Sequence, residues 1–233
     1  MKVKQKRVSE LITHNNPKSA VAEAFRTLRT NLGFAELGQP CRSVMISSAG
    51  PMDGKSTVIA NLAVVMAQAG KKTLLVDCDL RKPVQHHIFG VSNRRGLTNC
   101  LLENQDVEEA AIQGIIENLT ILTSGPIPAN PAEILNFERT RNLWQDFLKK
   151  YEYVFIDAPP ALAVTDAVIL STQVDGVILV VSSAATRIDK AKEAHEQFKK
   201  ANARIIGVVL NKVKIEKEDY NYYYYYNHAN GGY

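Results

Sequence analysis

The sequence predicts a doubly wound α/β fold, a mainly parallel sheet with helices on both faces. Six short runs rich in Val, Ile and Leu recur at 44–47, 73–77, 119–123, 153–157, 176–181 and 205–211. Most are apolar on successive residues, as strands covered on both sides must be. Between them lie stretches with the 3.6-residue apolar period of amphipathic helices, so strands alternate with crossovers. A chain of 233 residues with 45% apolar content can bury one such core.

The elements follow in order. Met1-Lys2-Val3-Lys4-Gln5-Lys6-Arg7 is basic and lacks the apolar stretch of a signal peptide, so residues 1–17 are expected to form a flexible start. A helix is expected over 18–37 with Val21, Phe25, Leu28 and Leu32 on one stripe. Glu23, Arg26 and Arg29 fall at i, i+3 and i+6 on another flank, free to meet a partner.

The run Ser43-Val44-Met45-Ile46 then enters Ser47-Ser48-Ala49-Gly50-Pro51-Met52-Asp53-Gly54-Lys55-Ser56-Thr57, and a helix leaves through Val58, Leu62, Val65, Met66 and Ala69 to Gly70. Backbone N–H groups freed by a tight turn, with a lysine and a hydroxyl at the mouth of a helix, are what surrounds a triphosphate and its Mg²⁺. The fold is therefore expected to be that of a P-loop NTPase. Met52 stands where many such loops have a glycine with positive φ, and keeping that geometry strains it by roughly 1–3 kcal/mol. Such a loop is expected to be misshapen when empty and to relax on binding.

Two later strands end in carboxylates at the edge where an open α/β sheet binds its ligand. Leu74-Leu75-Val76-Asp77-Cys78-Asp79-Leu80-Arg81 is one, and Tyr153-Val154-Phe155-Ile156-Asp157-Ala158-Pro159-Pro160 the other. Asp157 is the expected metal-side carboxylate. Asp77 and Asp79 share a strand face and burial without a partner is costly, so either a metal and a substrate hydroxyl use both or one is a helix cap or surface group. Arg81 and Lys82 either neutralise phosphate or line the surface.

A helix over 131–151 presents Ile134, Leu135, Trp144, Phe147 and Leu148 to the core, and one over 187–201 presents Ile188, Ala191, Ala194 and Phe198. A domain over 18–212 is followed by a 213–233 tail without periodicity, expected to be mobile, which carries Tyr220, Tyr222, Tyr223, Tyr224, Tyr225, Tyr226 and Tyr233. Several classes are disfavoured. Cys41, Cys78 and Cys100 are too sparse for a disulfide framework or a zinc site. A net charge of +4 does not call for nucleic acid, and no apolar run approaches the roughly 20 residues of a membrane span. His86 and His87 are expected to point apart on a helix, in packing roles.

Taken together, the loop, the two acidic strands, Ser124-Gly125-Pro126-Ile127-Pro128-Ala129-Asn130-Pro131-Ala132-Glu133, Glu23-x-x-Arg26-x-x-Arg29 and the tyrosine cluster resemble the bacterial tyrosine kinases of capsule and exopolysaccharide synthesis. The resemblance covers nearly the whole chain. It implies an ATP- and Mg²⁺-dependent kinase that phosphorylates the tyrosine tail of a neighbouring subunit in a ring assembled through Glu23, Arg26 and Arg29. It implies nucleotide binding by Gly50, Pro51, Met52, Asp53, Gly54, Lys55, Ser56 and Thr57, with Lys55 on the β/γ-phosphates and Ser56, Asp79 and Asp157 on the metal or its waters. Catalysis would fall to Lys55, Asp79 and Asp77, the last taking the phenol proton; a phenol near pKa 10 needs such a base at neutral pH. Asn211 resembles an adenine-recognition residue, although a plain turn asparagine reads the same way. The implied partners are a membrane-spanning modulator that holds the kinase at the inner face of the cell membrane, a cognate tyrosine phosphatase and other protein substrates, with no nucleic acid. Two rival readings keep the fold: a partition- or division-type switch ATPase, whose extra loop lysine is Gly50 here, and a catalytically weak ATP-binding subunit, for which Met52 is the foothold.

Overall fold

In the computed structural model, residues 11–35, 38–183 and 185–214 are described. The helices are α1 (Ile12–Asn15), α2 (Ala20–Ala35), α3 (Lys55–Gln68), α4 (Gln85–Ile88), α5 (Leu97–Leu102), α6 (Val107–Ala110), α7 (Pro131–Leu135), α8 (Glu138–Lys150), α9 (Asp166–Ser171) and α10 (Ile188–Lys200). The strands are β1 (Ser43–Ser48), β2 (Thr73–Asp77), β3 (Ile112–Ile116), β4 (Leu119–Leu122), β5 (Tyr153–Asp157), β6 (Gly176–Ser182) and β7 (Ile205–Asn211). They form one sheet in the order β3-β4-β2-β5-β1-β6-β7, parallel except for β3 against β4.

Two apolar clusters lie on the two faces of this sheet. One joins Leu97, Trp144, Phe147, Leu170, Ala194 and Phe198 to Met45, Val76 and Ile156; the other joins Leu32, Ile59, Leu62 and Ile88 to Val44, Leu75 and Phe155. Helix α3 is buried almost all round, which follows from apolar residues on every side of it. Its N-terminus lies under the central strand of the sheet's ligand edge.

Five expectations need correction. Residues 11–17 are not a flexible start: Leu11 and Thr13 are buried, and the Thr13 N–H and hydroxyl both donate to Asn61 Oδ1. Strand β3 is an unforeseen antiparallel edge, turned by Asn118 at φ 62°. The 131–151 helix is two, broken at Asn136 and Phe137. One straight helix would set Leu135 about 120–180° from the Thr140, Trp144 and Phe147 stripe, so the break lets both groups be buried. Finally, Val21 and Ile188 face solvent, with Ala22 buried in place of the first and Ala194 and Phe198 anchoring α10.

His86 and His87 do not point apart either; their ring centroids are 3.8 Å from one another. All three cysteines are buried thiols. Among the described residues no helix is long and apolar enough to cross a membrane.

Candidate active site

Strand order explains why the chemistry-bearing residues meet. β5 lies between β1 and β2, so the loop after β1 and the carboxylates ending β2 and β5 share one edge, with Asp77 the register partner of Asp157. The phosphate loop wraps into α3 through Gly54 at φ 95°, where an added Cβ would stand 2.2 Å from Asn211 Nδ2. Only glycine fits there. Met52 adopts φ 67° and is 86% exposed, so the strain expected from its position is present, roughly 1–2 kcal/mol.

The loop is braced from several directions. Asp53 is buried, accepting from Gly50 N at 3.2 Å and from Thr186 Oγ1 at 2.6 Å. Ser48 Oγ donates to Gly50 O, Asn211 Nδ2 to Asp53 O at 2.9 Å, and Lys212 Nζ to Met52 O at 2.6 Å. Asn211, the last residue of β7, is thus more than a plain turn residue; it clamps the loop. Pro51 is exposed at the loop's tip, and Thr57 lies in the first turn of α3.

Beneath the loop, the Lys55 ammonium lies 2.9 Å from Asp79 Oδ2, 3.1 Å from Asp157 Oδ1 and 3.1 Å from Ser56 Oγ. Burial alone would lower its pKa, but the carboxylates of Asp157 and Asp79 outweigh burial and hold it above the usual lysine range. Gln85, fully buried, donates to Ser56 O at 3.1 Å and to Asp157 Oδ2 at 2.7 Å, and leaves its own Oε1 without a hydrogen-bond partner.

Asp77 is fully buried. Its Oδ2 accepts from Val84 N and Gln85 N and its Oδ1 from Asp79 N, so it caps the α4 turn and faces no solvent. Burial, then the Asp157 charge, push its pKa up to about 8. The cap reading left open from the sequence describes its present contacts, and proton transfer at Asp77 requires the Val84–Gln85 segment to move. Arg81 makes a two-pronged pair with the buried Asp166, at 2.9 and 3.0 Å, while its own side chain stays at the surface, 41% exposed.

A family model described as an AAA domain matches residues 45–213. Tyrosine-protein kinase YwqD of Bacillus subtilis (strain 168) is 44% identical over 213 residues, 91% of this chain and 90% of that protein. The chain belongs to the bacterial tyrosine kinases. A crystal structure of the chimerical protein CapA2B2 superposes with a TM-score of 0.86 at 43% identity, covering 89% of this chain and 91% of that one. The wider fold is shared with the septum site-determining protein MinD of Pyrococcus horikoshii, complexed with Mg-ADP, at a TM-score of 0.64 and 25% identity over 79% of this chain and 77% of that one.

The remaining kinase residues divide as follows. Glu23 pairs with Arg26, Arg26 also donates to Pro17 O, and Arg29 Nη1 donates to Val65 O on α3 at 3.1 Å. The spacing alone left the three free to meet a partner; in the structure all three are engaged within the chain. The tail tyrosines Tyr220, Tyr222, Tyr223, Tyr224, Tyr225, Tyr226 and Tyr233 lie outside the described residues. Thr186, Lys212, Gln85 and Asp166 were not foreseen, and no spacing in the sequence pointed to them.

Proposed function

We propose that the chain is an ATP-dependent protein-tyrosine kinase that phosphorylates the tyrosine cluster at its own C-terminus, from one subunit onto another. The observation that carries this reading is the Lys55 ammonium gripped by Ser56, Asp79 and Asp157 at the mouth of a phosphate loop, beside Asp77. Three oxygens converging on one cation are a hard-donor set that suits Mg²⁺, completed by waters and phosphate oxygens. Ser56, Asp79 and Asp157 would hold that ion, which when bound draws charge from the transferring phosphoryl group.

The chain's own residues supply the rest. The N–H groups from Gly50 to Thr57 and the positive end of α3 face the β-phosphate, and the Lys55 ammonium, exchanging carboxylate for phosphate, steadies the β/γ oxygens. Gln85 keeps Asp157 oriented. Asp77, released by movement of residues 84–85, takes the phenol proton as the new P–O bond forms, and the γ-phosphoryl bond to ADP breaks. Burial raises the Asp77 pKa to about 8, so Asp77 must lose its own proton, as solvent reaches it on that movement, before it can accept the phenol's. Asn211 clamps the loop near the expected adenine side.

The tail's length supports transfer between subunits. From Lys212 to Tyr233 the chain is long enough to reach about 70 Å if fully extended. The proposed setting is a ring assembled through Glu23, Arg26 and Arg29, whose present partners must then be exchanged. A membrane-spanning modulator would hold it at the inner face of the membrane, a cognate phosphatase would reset it, and its output would regulate capsular or exopolysaccharide synthesis and export. Family membership supports this setting. Mixing a Lys55→Met chain with an active chain whose seven tail tyrosines are Phe tests the transfer: phosphate on the Lys55→Met tail is expected, and its absence refutes transfer between subunits.

A further inference from the structure

A cavity of about 400 Å³ opens beside the phosphate loop, walled by Pro51, Leu162, Ala163 and Ala185 and rimmed by Arg187 and Lys190 at the start of α10. No residue of the proposed phosphoryl-transfer machinery other than the loop itself lines it. Asp53 and Thr186 also line it but are bonded to one another, which leaves apolar walls beside two cations, a site for a peptide in which carboxylates adjoin an aromatic side chain.

We propose that this cleft docks the acidic stretch of the chain's own tail, Glu216, Glu218 and Asp219, with Tyr220 and Tyr222 against the apolar walls. Two observations select this occupant. The first is position: Lys212 Nζ donates to Met52 O, Ser183 Oγ donates to Lys212 O, and the residue before Met52 is the cleft-lining Pro51. The described chain ends at Lys214, so the acidic residues begin two positions further on and reach about 7–17 Å. The second is charge: residues 216–219 carry three carboxylates against Lys217, opposite Arg187 and Lys190.

The two cations have partners at present, but weak ones. Arg187 pairs with Asp189 and Lys190 with Glu193, all well exposed on the same helix, where water and salt screen the attraction. A tethered acidic segment arrives at high effective concentration and displaces them. Docked in this way, the acidic stretch holds the tyrosine cluster at the mouth of its own phosphate loop until a neighbour withdraws it. Docking is a binding event that stands or falls whether or not phosphoryl transfer occurs.

The full chain carrying Asn227→Cys, labelled with a nitroxide while the three buried native cysteines stay unreacted, reports tail mobility by electron paramagnetic resonance. At low salt the label is expected to be slowed at least about two-fold relative to high salt, at every protein dilution, because the contact is electrostatic and intramolecular. Arg187→Glu with Lys190→Glu frees it, as does the tail with Glu216→Lys, Glu218→Lys and Asp219→Lys. Combining both sets of reversals slows it again. Equal mobility in parent and cleft variant, or no recovery on combination, overturns the proposal. Slowing that disappears on dilution overturns it also, by moving the docking site to a second copy. Absence of phosphate from the tail would refute the kinase reading and leave this measurement unaffected.

Discussion

Replacing Lys55 by Met removes the one cation among three buried carboxylates. The side chains of Lys55, Asp79 and Asp157 are 10%, 6% and 0% exposed, so neither carboxylate is rescued by water when the ammonium goes. Breaking a buried pair in this way costs about 3–5 kcal/mol, against a neutral gain from packing the Met side chain. For a domain of this size each kcal/mol shifts Tm by about 2–4 °C, giving a fall of about 6–20 °C at neutral pH. Millimolar Mg²⁺ without nucleotide should then restore more stability to Lys55→Met than to the parent, because the oxygens of Ser56, Asp79 and Asp157 are vacated. Thermal unfolding followed by circular dichroism, with and without Mg²⁺, measures both effects. A variant as stable as the parent, or equal Mg²⁺ shifts in the two, refutes the claim that lysine occupies a cation site.

Other predictions follow from single contacts. The native Asp77 pKa of about 8 lies above the unfolded value of 3.8, so the native state keeps a proton that the unfolded state has lost; this contribution is full below about 4 and disappears as pH rises through about 8. Parent stability should therefore fall across pH 5–8 by more than that of Asp77→Asn, and parallel slopes in chemical denaturation would contradict the assignment. Gly54→Ala should abolish nucleotide binding in calorimetry while the chain stays folded, since its Cβ meets Asn211 at a positive φ; retained affinity would show that the loop can give way. Met52→Gly should leave stability within about 1 kcal/mol, relief of strain opposing greater chain entropy. If the strained loop relaxes on binding, that relief favours the bound state, so Met52→Gly should lower nucleotide affinity; unchanged affinity removes that idea.

Much of this architecture was legible because it rests on local patterns. Unalternating apolar runs marked six strands of the seven, and the loop and three aspartates fall at the sheet edge where their spacing put them. Strand β3 was hidden because Gln113 and Gly114 interrupt its isoleucines and three of its five residues are exposed, so it lacks the pattern of a buried strand. The short helices α4, α5, α6 and α9 carry too few turns for a period to register. What the sequence could not reveal was partnership across distance. Arg29 on Val65 O, Arg81 on Asp166 and Asn211 on Asp53 O join residues 36, 85 and 158 positions apart. Likewise, the sequence allowed a helix cap at Asp77 or Asp79 but did not say that Asp77 would be the one, held by the backbone of Val84 and Gln85.

The central claim is tested most directly by the intact mass of the purified full chain after incubation with ATP and Mg²⁺, followed by fragmentation of residues 215–233. Successive phosphate additions confined to the tail tyrosines, and absent from Lys55→Met, are the predicted result. ATP bound but an unmodified tail, with or without a modulator fragment, would contradict it.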